Sequence, residues 1–174
     1  DTVGGEHILS LTEDSRNARL INACYADARD EELEAHPWMF ARKRVTLSPD
    51  ATDPNDTYDY QFTLPVGCLR VLLPRRTNLD WSIEGGKILT NDGTTIDVRY
   101  VQQITDPNAM PSLFRAALAC RIGMKICQPL TQSTAKLEAV AQMRKLLIAE
   151  AKKTNAIQQT PQEEPEDTWL AARR

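Results

Sequence analysis

The first clear pattern in the chain is a helical one over residues 14–35. Apolar side chains recur there at three- and four-residue spacing, which places them on one side of a helix. They are Leu20, Ile21, Cys24, Tyr25, Ala28 and Leu33. Thr12 or Asp14 can accept the first backbone N–H bonds and so cap the beginning of this helix.

The last turns of this predicted helix carry the wrong charge for a helix C-terminus. Four acids lie there: Asp30, Glu31, Glu32 and Glu34. We interpret them mainly as a solvated face. Two alternatives stay open: the helix breaks near Asp30, which then caps a second short helix, or the acids bind cations of a neighbouring element.

Between residues 44 and 105 the apolar period changes from 3.6 to 2, which predicts β-strands. Short apolar segments separated by turn residues predict five or six strands. The segments are 45–47, 58–64, 68–73, 81–83, 87–89 and 95–101. Residues 48–57 are rich in Asp, Pro and Asn and predict an exposed loop. The Gly85-Gly86 step predicts a tight hairpin, and the whole region predicts an antiparallel sheet or a small sandwich.

The helical period returns after residue 105, so the fold class is α+β. Pro111 suits the first turn of a helix that runs to Gln128, and Pro129 is expected to close it. A last helix is predicted over residues 134–156, and its exposed face is net basic. The cations of that face are Lys136, Arg144, Lys145, Lys152 and Lys153.

A Pro-Trp-x-Phe step joins the first helix to the first strand. Pro37 stops the helix, and Trp38 and Phe40 place two large rings at the helix-to-sheet corner. Pro65 ends the strand that carries Leu64. We interpret these five residues as structural joints, because they explain packing and not a reaction.

Beyond Ile157 the apolar pattern is lost, and we expect an extended tail over residues 158–174. The tail closes with a Trp-Leu pair at the tip of a polar tether. A tether has no internal use for such side chains, which favours a docking peptide for another chain. Its docking residues are Trp169, Leu170, Arg173 and Arg174. An incidental terminus, or one that folds back on its own domain, is the alternative.

Size and charge narrow the classes of protein. The 174 residues (19.6 kDa) suit one domain, or two small subdomains that share a core. A net charge of −3 and a pI near 5.5 argue against a dedicated nucleic-acid binder. No apolar run reaches the ~20 residues that span a bilayer, and no signal-peptide pattern opens the chain. We therefore expect a soluble protein made in the cytoplasm, with residues missing upstream of Asp1.

No motif predicts a cofactor, a metal site or an enzyme. The phosphate-binding, dinucleotide-binding, nucleophile-elbow and zinc-protease motifs are all absent from the sequence. The four cysteines form no C-x-x-C pair, and we expect buried free thiols rather than disulfides or metal ligands. They are Cys24, Cys68, Cys120 and Cys127. The histidines are His7 and His36, and the second is expected to cap or pack at a helix end rather than act as a base.

Motifs along most of the chain resemble, in order and spacing, those of one family. The matching residues are Ser10-Leu11, Glu13-Asp14-Ser15, Tyr25, Arg29-Asp30, Leu33, residues 36–41, Arg44, Tyr60, Leu64-Pro65, residues 68–71, Trp81, Glu84-Gly85, Ile88-Leu89, Tyr100, residues 111–119 and 130–133. The most specific are Pro-Trp-x-Phe-Ala and the later Leu-Pro-x-x-Cys-Leu-Arg-Val. Over residues 8–157 the chain thus resembles the tail tubular protein A family, the head-to-tail adaptors of short-tailed bacteriophages.

The resemblance implies both a domain organisation and a set of partners. Residues 1–43 and 106–157 would form a helical bundle, with residues 44–105 inserted as an antiparallel β domain. The resemblance also implies a homo-oligomeric ring of twelve copies in the virion neck, between the portal protein and the tail nozzle protein. Double-stranded DNA would pass through the ring without sequence-specific binding. Family members usually begin with another helix, and no family motif matches the segment after Ile157.

These observations predict a structural virion protein: a head-to-tail adaptor whose tail docks on the portal protein. No membrane and no cofactor are expected to take part. The alternative is a helical DNA-binding or DNA-packaging accessory protein that uses the basic face of the last helix. We expect the channel lining to be neutral or acidic, because basic residues would hold DNA that must slide past.

Overall fold

The chain folds as helix, strands and two further helices, seen here in a computed structural model that describes residue 8 and residues 10–54, 57–72 and 80–158. Within that part of the chain the helices are α1 (Arg16–Glu34), α2 (Ser112–Thr131) and α3 (Thr134–Ile157). The strands are β1 (Arg42–Leu47), β2 (Tyr60–Thr63), β3 (Cys68–Leu72), β4 (Trp81–Glu84), β5 (Lys87–Thr90) and β6 (Ile96–Gln102). The predicted α+β class is therefore confirmed.

Helix α1 begins one residue after a serine cap. Ser15 is extended, with φ −116° and ψ 153°, and its side chain accepts a hydrogen bond from the Ala18 N–H at 3.1 Å. The predicted caps, Thr12 and Asp14, are wrong because both lie outside the first helical turn. Asp14 forms an ion pair with Arg19 instead.

The six strands form two antiparallel sheets of three strands each, in the orders β1-β6-β3 and β2-β5-β4. The sheets pack face to face over buried side chains from both: Phe62, Ile88, Ile96 and Val98. The region is thus a small sandwich. Gly85 and Gly86 turn β4 into β5 with φ of +56° and +77°, values that glycine adopts without steric cost.

The helices pack on the outer side of the β1-β6-β3 sheet around Val101 and leave part of that side, including Arg44, exposed. Val101 of β6 points to this side and is fully buried in a core that includes Leu33, Trp38 and Phe114. Helix α2 packs against both α1 and α3. A separate core around Ile126 and Cys127 joins all three helices. The fold therefore has three layers: the helices, the β1-β6-β3 sheet and the β2-β5-β4 sheet. Helices α1 and α2 contact each other although all six strands lie between them in the sequence.

Helix α2 continues through Pro129, which contradicts the predicted end at Gln128. The proline lies in the last turn, so its missing N–H removes one backbone hydrogen bond close to the end of the helix. Arg16 donates from Nη2 to the Pro129 carbonyl at 2.9 Å and so satisfies one of the carbonyls that lack a partner in the last turn. The helix ends at Thr131, and the next residue, Gln132, caps it in a left-handed conformation with φ +49°.

The first strand begins earlier than expected. Its register places Arg42 opposite Val101 and Arg44 opposite Arg99, so β1 starts two residues before the predicted boundary at 44. The polar run at its beginning hides the strand from a search for alternating apolar residues. Tertiary pairing with β6 supplies the backbone hydrogen bonds that define it.

Candidate functional site

The helix-to-sheet corner is built around a buried tryptophan. Trp38 is 2% exposed, and its Nε1 donates to the carbonyl of Glu32 in α1 at 2.9 Å. Its ring meets Phe114 of α2 edge-on, with centroids 5.2 Å apart. Phe40 contacts the same Phe114 ring at 5.0 Å. One aromatic cluster therefore joins the end of α1, the start of β1 and the start of α2. Pro37 lies half-buried beside it.

Asn155, in the last turn of α3, fastens the third helix to this corner. Its Oδ1 accepts from the Met39 N–H at 2.7 Å, and its Nδ2 lies 3.1 Å from His36 Nε2. Because the amide oxygen is already engaged, Asn155 presents a donor to the histidine, and His36 Nε2 is the acceptor. The imidazole is thus held neutral. The pKa of His36 lies below its ordinary value, through burial first and then the charges of Lys152, Arg70 and Arg42.

A small pocket opens between the aromatic corner and the end of α3. Its walls are mostly apolar and include Trp38, Phe40, Leu113 and Ala151, with Gln158 at the rim. The volume is about 100 Å³. Ligand sites for small molecules are usually several times larger, so this pocket fits a single side chain rather than a metabolite.

An ion cluster joins the three helices beside the corner; it comprises Glu31 and Glu32 of α1, Arg121 and Lys125 of α2, and Arg144 of α3. Glu32 is fully buried, and its Oε2 accepts from Arg121 Nη1 at 2.9 Å and Arg144 Nη2 at 2.7 Å. Glu31 accepts from Arg121 Nη2 and from Lys125 Nζ, both at 2.7 Å. Hydrogen bonds from Lys125 and Arg121 lower the pKa of Glu31.

The ion cluster shows that the expected solvated face at the end of α1 is wrong. The acids of the cluster form ion pairs with cations of neighbouring helices, which is one of the two alternatives that the sequence left open. The sequence carried a usable signal, because Arg121 and Lys125 lie four residues apart and thus on one face of α2. Arg144 is also not part of the exposed basic face predicted for α3, because its ion pair with Glu32 keeps it half-buried.

A second charged group lies on the helix side of the β1-β6-β3 sheet. Arg42 and Arg70 flank Val101 from the two outer strands, while Arg99 of β6 lies opposite Arg44 of β1. Directly paired residues of antiparallel strands share a face, so all four arginines lie on one side of the sheet. We call Arg42, Arg44, Arg70 and Arg99 the arginine face.

The arginine face carries more charge than its surroundings neutralise. Burial lowers the pKa of Arg42, and the charges of Arg99 and Arg44 lower it further. Among the described residues, no ion pair involves Arg44, Arg70 or Arg99. The buried Nε atoms of Arg70 and Arg99 also have no hydrogen-bond acceptor there. Sequence reasoning missed this face, because its members lie on three strands and meet only through sheet pairing.

The other residues singled out in the sequence lie away from the corner. Leu64 packs into the sandwich core, and the Pro65 carbonyl accepts from the Cys68 N–H at 3.1 Å in the turn between β2 and β3. The predicted joint residues therefore occupy two places. The predicted docking residues, Trp169, Leu170, Arg173 and Arg174, lie outside the described residues.

Several large apolar side chains remain exposed. On α3 these are Met143 (50% exposed) and Leu146 (73%), with Ile157 (76%) at its last residue. In the sandwich they are Val66 (98%), in the turn after β2, Ile83 (43%), in β4, and Tyr60 (36%), in β2. These two groups lie on separate elements of the fold.

The described residues offer little redox or metal chemistry. All four cysteines are free thiols; Cys120 and Cys127 are buried, and Cys24 and Cys68 are half-buried. Burial raises the pKa of the Cys24, Cys68 and Cys120 thiols, which keeps them protonated and poorly nucleophilic at neutral pH. In the described part of the chain, no group of three or more His, Cys, Asp or Glu side chains is placed to hold a metal ion.

Among the described residues, no helix is both long enough and apolar enough to cross a membrane. Comparison of the chain with known protein families and with curated proteins finds no match.

Proposed function

We propose that this chain is a structural virion protein, a head-to-tail adaptor that assembles into a ring between a portal protein and a tail nozzle. The observation that carries the proposal is the pair of exposed apolar surfaces on separate elements, one on α3 and one on the sandwich. A subunit of a ring within a larger assembly needs a surface for its neighbours and others for the components above and below it. The resemblance of the sequence motifs supports the same assignment.

The surface on α3 is the proposed contact with a neighbouring subunit. Met143 and Leu146 lie three residues apart and therefore on one face of the helix. Large apolar side chains that stay exposed together mark contact sites more often than chance. Methionine is enriched at interfaces, whereas the alanine and lysine side chains on most of the remaining face are depleted there, so Met143 and Leu146 are the proposed anchors.

The sandwich surface is the proposed contact with the tail nozzle. Val66 and Ile83 flank the end of the sandwich where the Leu64 N–H donates to the Gly86 carbonyl at 3.1 Å. Val66 is 98% exposed, so its side chain adds almost no packing to the isolated chain. A partner that covers this end would bury it.

The portal contact is assigned to the tail. Trp169 and Leu170 are the proposed anchors, and Arg173 and Arg174 are proposed to pair with acids at the rim of a portal groove. Burial of the two apolar side chains would contribute about 3–5 kcal/mol per subunit before the cost of ordering the tail. Because twelve such contacts act together, a weak single contact becomes durable.

The interior features suit a subunit that transmits load rather than one that catalyses a reaction. The aromatic corner and the ion cluster hold the helices and the sandwich in one arrangement. The proposal contains no catalytic step and no cofactor. The protein would be made in the host cytoplasm and reside in the neck of the virion.

The test is assembly on portal rings. Native mass spectrometry and electron microscopy of the full chain, alone and with purified portal rings, should show a ring of twelve copies bound to portal. A chain truncated after Gln158 should lose portal binding while its circular dichroism stays unchanged. Normal portal binding by the truncated chain would refute the role of the tail, and a chain that stays monomeric with portal would refute the adaptor.

A DNA-binding accessory protein is the second candidate, and one observation changes where it would bind. Arg144 is taken up by Glu32, so the basic face of α3 is weaker than the sequence predicts. The arginine face is now the stronger phosphate-binding surface. A gel shift with duplex DNA separates the candidates: nanomolar binding that falls steeply with salt favours the accessory protein.

A further inference from the structure

The arginine face requires an anion that the described residues do not supply. Arg44 and Arg99 lie directly opposite each other on paired strands, and like charges in that position repel. The unsatisfied Nε atoms of Arg70 and Arg99 add a desolvation cost. A carboxylate or phosphate above the sheet would relieve both penalties, since guanidinium groups bind either one with paired hydrogen bonds.

The sequence holds two stretches with four acids among five residues, 30–34 and 163–167. Three of the four acids in the first stretch are already engaged. Asp30 accepts from Arg29 Nε at 2.8 Å and from Gln103 Nε2 at 2.7 Å, and Glu31 and Glu32 belong to the ion cluster. The second stretch, Glu163-Glu164-Pro165-Glu166-Asp167, is therefore the large block of negative charge left for the arginine face.

The end of α3 delivers that acidic stretch to the right place. Asn155 contacts His36 and Met39, and the charges of Arg42, Arg70 and Lys152 act on His36. The chain therefore leaves α3 beside the arginine face. Four residues lie between Gln158 and Glu163, and the five residue steps from one to the other span about 17 Å when the chain is extended.

We propose that residues 163–167 of the chain bind to its own arginine face, with their carboxylates paired to Arg44, Arg70 and Arg99. The contact fixes the direction in which the tail leaves the subunit, and Trp169 then begins two residues beyond a defined anchor. Charge neutralisation also removes the repulsion across β1 and β6. The proposal is independent of the adaptor assignment, because a chain that forms no rings would still show the contact.

Cleavage of the full chain by a Glu-specific protease tests this contact. At about 20 mM salt, where charge pairs are weakly screened, cuts after Glu163 and Glu166 should form about tenfold more slowly in the native chain than in Arg44→Gln/Arg99→Gln. The difference should vanish in about 0.5 M salt. The matched control is Lys145→Gln/Lys153→Gln, which removes two exposed cations of α3 and should behave like the native chain.

Each other result overturns the proposal. Equal cleavage rates in the native chain and in Arg44→Gln/Arg99→Gln would show that the contact does not form. The urea midpoints of the two proteins are the control for folding. They should agree, because the substitutions relieve repulsion. Protection that grows with protein concentration would assign the face to the tail of a second copy. Equal cleavage combined with duplex DNA binding that the double substitution abolishes would assign it to nucleic acid.

Discussion

His36 is held by burial, by nearby cations and by a hydrogen bond to a neighbour whose orientation is fixed elsewhere. Asn155 must point its amide oxygen at the Met39 N–H, so only its NH₂ group is left for the imidazole. A protonated His36 would place two donors against each other. Burial and three nearby cations act in the same direction and lower the pKa of His36.

The protein should lose stability as His36 becomes protonated. Its pKa in the folded chain is below the ordinary 6.5, so the unfolded chain binds the proton more readily as pH falls. The free energy of unfolding should therefore be full above pH 6.5 and decline below it. Urea unfolding at pH 7.5 and about 5 should show a smaller decline for His36→Gln than for the native chain.

The pH range in which this measurement reports on His36 is limited by the other side chains whose pKa values are shifted. Glu31 and Asp50 have lowered pKa values, so their contributions are lost only at more acidic pH. Between pH 7.5 and 9 the native chain and His36→Gln should show parallel curves. Equal declines in both between pH 7.5 and 5 would contradict the role given to His36.

Glu32 and its neighbour Glu31 should differ in cost despite their shared partners. Glu32→Gln leaves Arg144 half-buried and without its carboxylate, and breaking a buried pair in this way costs about 3 kcal/mol. Glu31→Gln affects a half-exposed pair, for which about 0.5 kcal/mol is typical. Urea unfolding of the two variants measures the difference, and equal losses would mean that the ion cluster acts as surface charge only.

Among the elements, the corner between α1, β1 and α2 does the most to set their arrangement. Trp38 supplies a ring to Phe114 and a hydrogen bond to α1. Asn155 adds α3 to the same point. Four elements thus converge on a segment of five residues, 36–40.

Trp38→Phe should cost about 2 kcal/mol of stability, because it removes both ring volume and the Nε1 hydrogen bond from a closed core. The matched control is Trp81→Phe, at a half-buried tryptophan on the rim of the sandwich core, which should cost less than about 1 kcal/mol. Urea midpoints of the two variants test this. A larger loss at Trp81 would show that the sandwich and not the corner limits stability.

Local patterns predicted the elements better than the contacts between them. The three helices, the Gly85-Gly86 hairpin and the aromatic corner follow from period, turn residues and proline position. The continuation of α2 through Pro129 does not follow from these patterns, because it depends on the short distance between the proline and the helix end and on a hydrogen bond from Arg16. The partners of Glu32 and the arginine face were missed because they join residues far apart in sequence.

At the scale of the whole molecule, the fold leaves large apolar side chains exposed both on α3 and on the sandwich. The α3 surface holds Met143 and Leu146, and the sandwich surface holds Val66 and Ile83. The aromatic corner lies between the helices and the sheet and would keep these surfaces at a constant separation. Such spacing is a requirement for a ring that must match components on either side.

Leu146→Gln should weaken assembly with little effect on folding. Leu146 is 73% exposed, so its replacement costs the isolated chain little, while an interface loses a buried leucine. Lys145→Gln, at the adjacent exposed position, is the control. Analytical ultracentrifugation or native mass spectrometry with portal rings should show fewer assembled copies for Leu146→Gln alone. Unchanged assembly would move the subunit contact away from α3.

The ion cluster also limits which substitutions this sequence can accept during evolution. Glu32, Arg121 and Arg144 stand on three different helices, and in the described part of the chain the buried carboxylate of Glu32 has these two arginines as its cations. A replacement at one of these positions is expected to be followed by compensating replacements at the others, or by exchange of the whole set for apolar residues of similar volume. Distant relatives should therefore be recognisable by linked changes at these three positions, even where the surrounding surface has diverged.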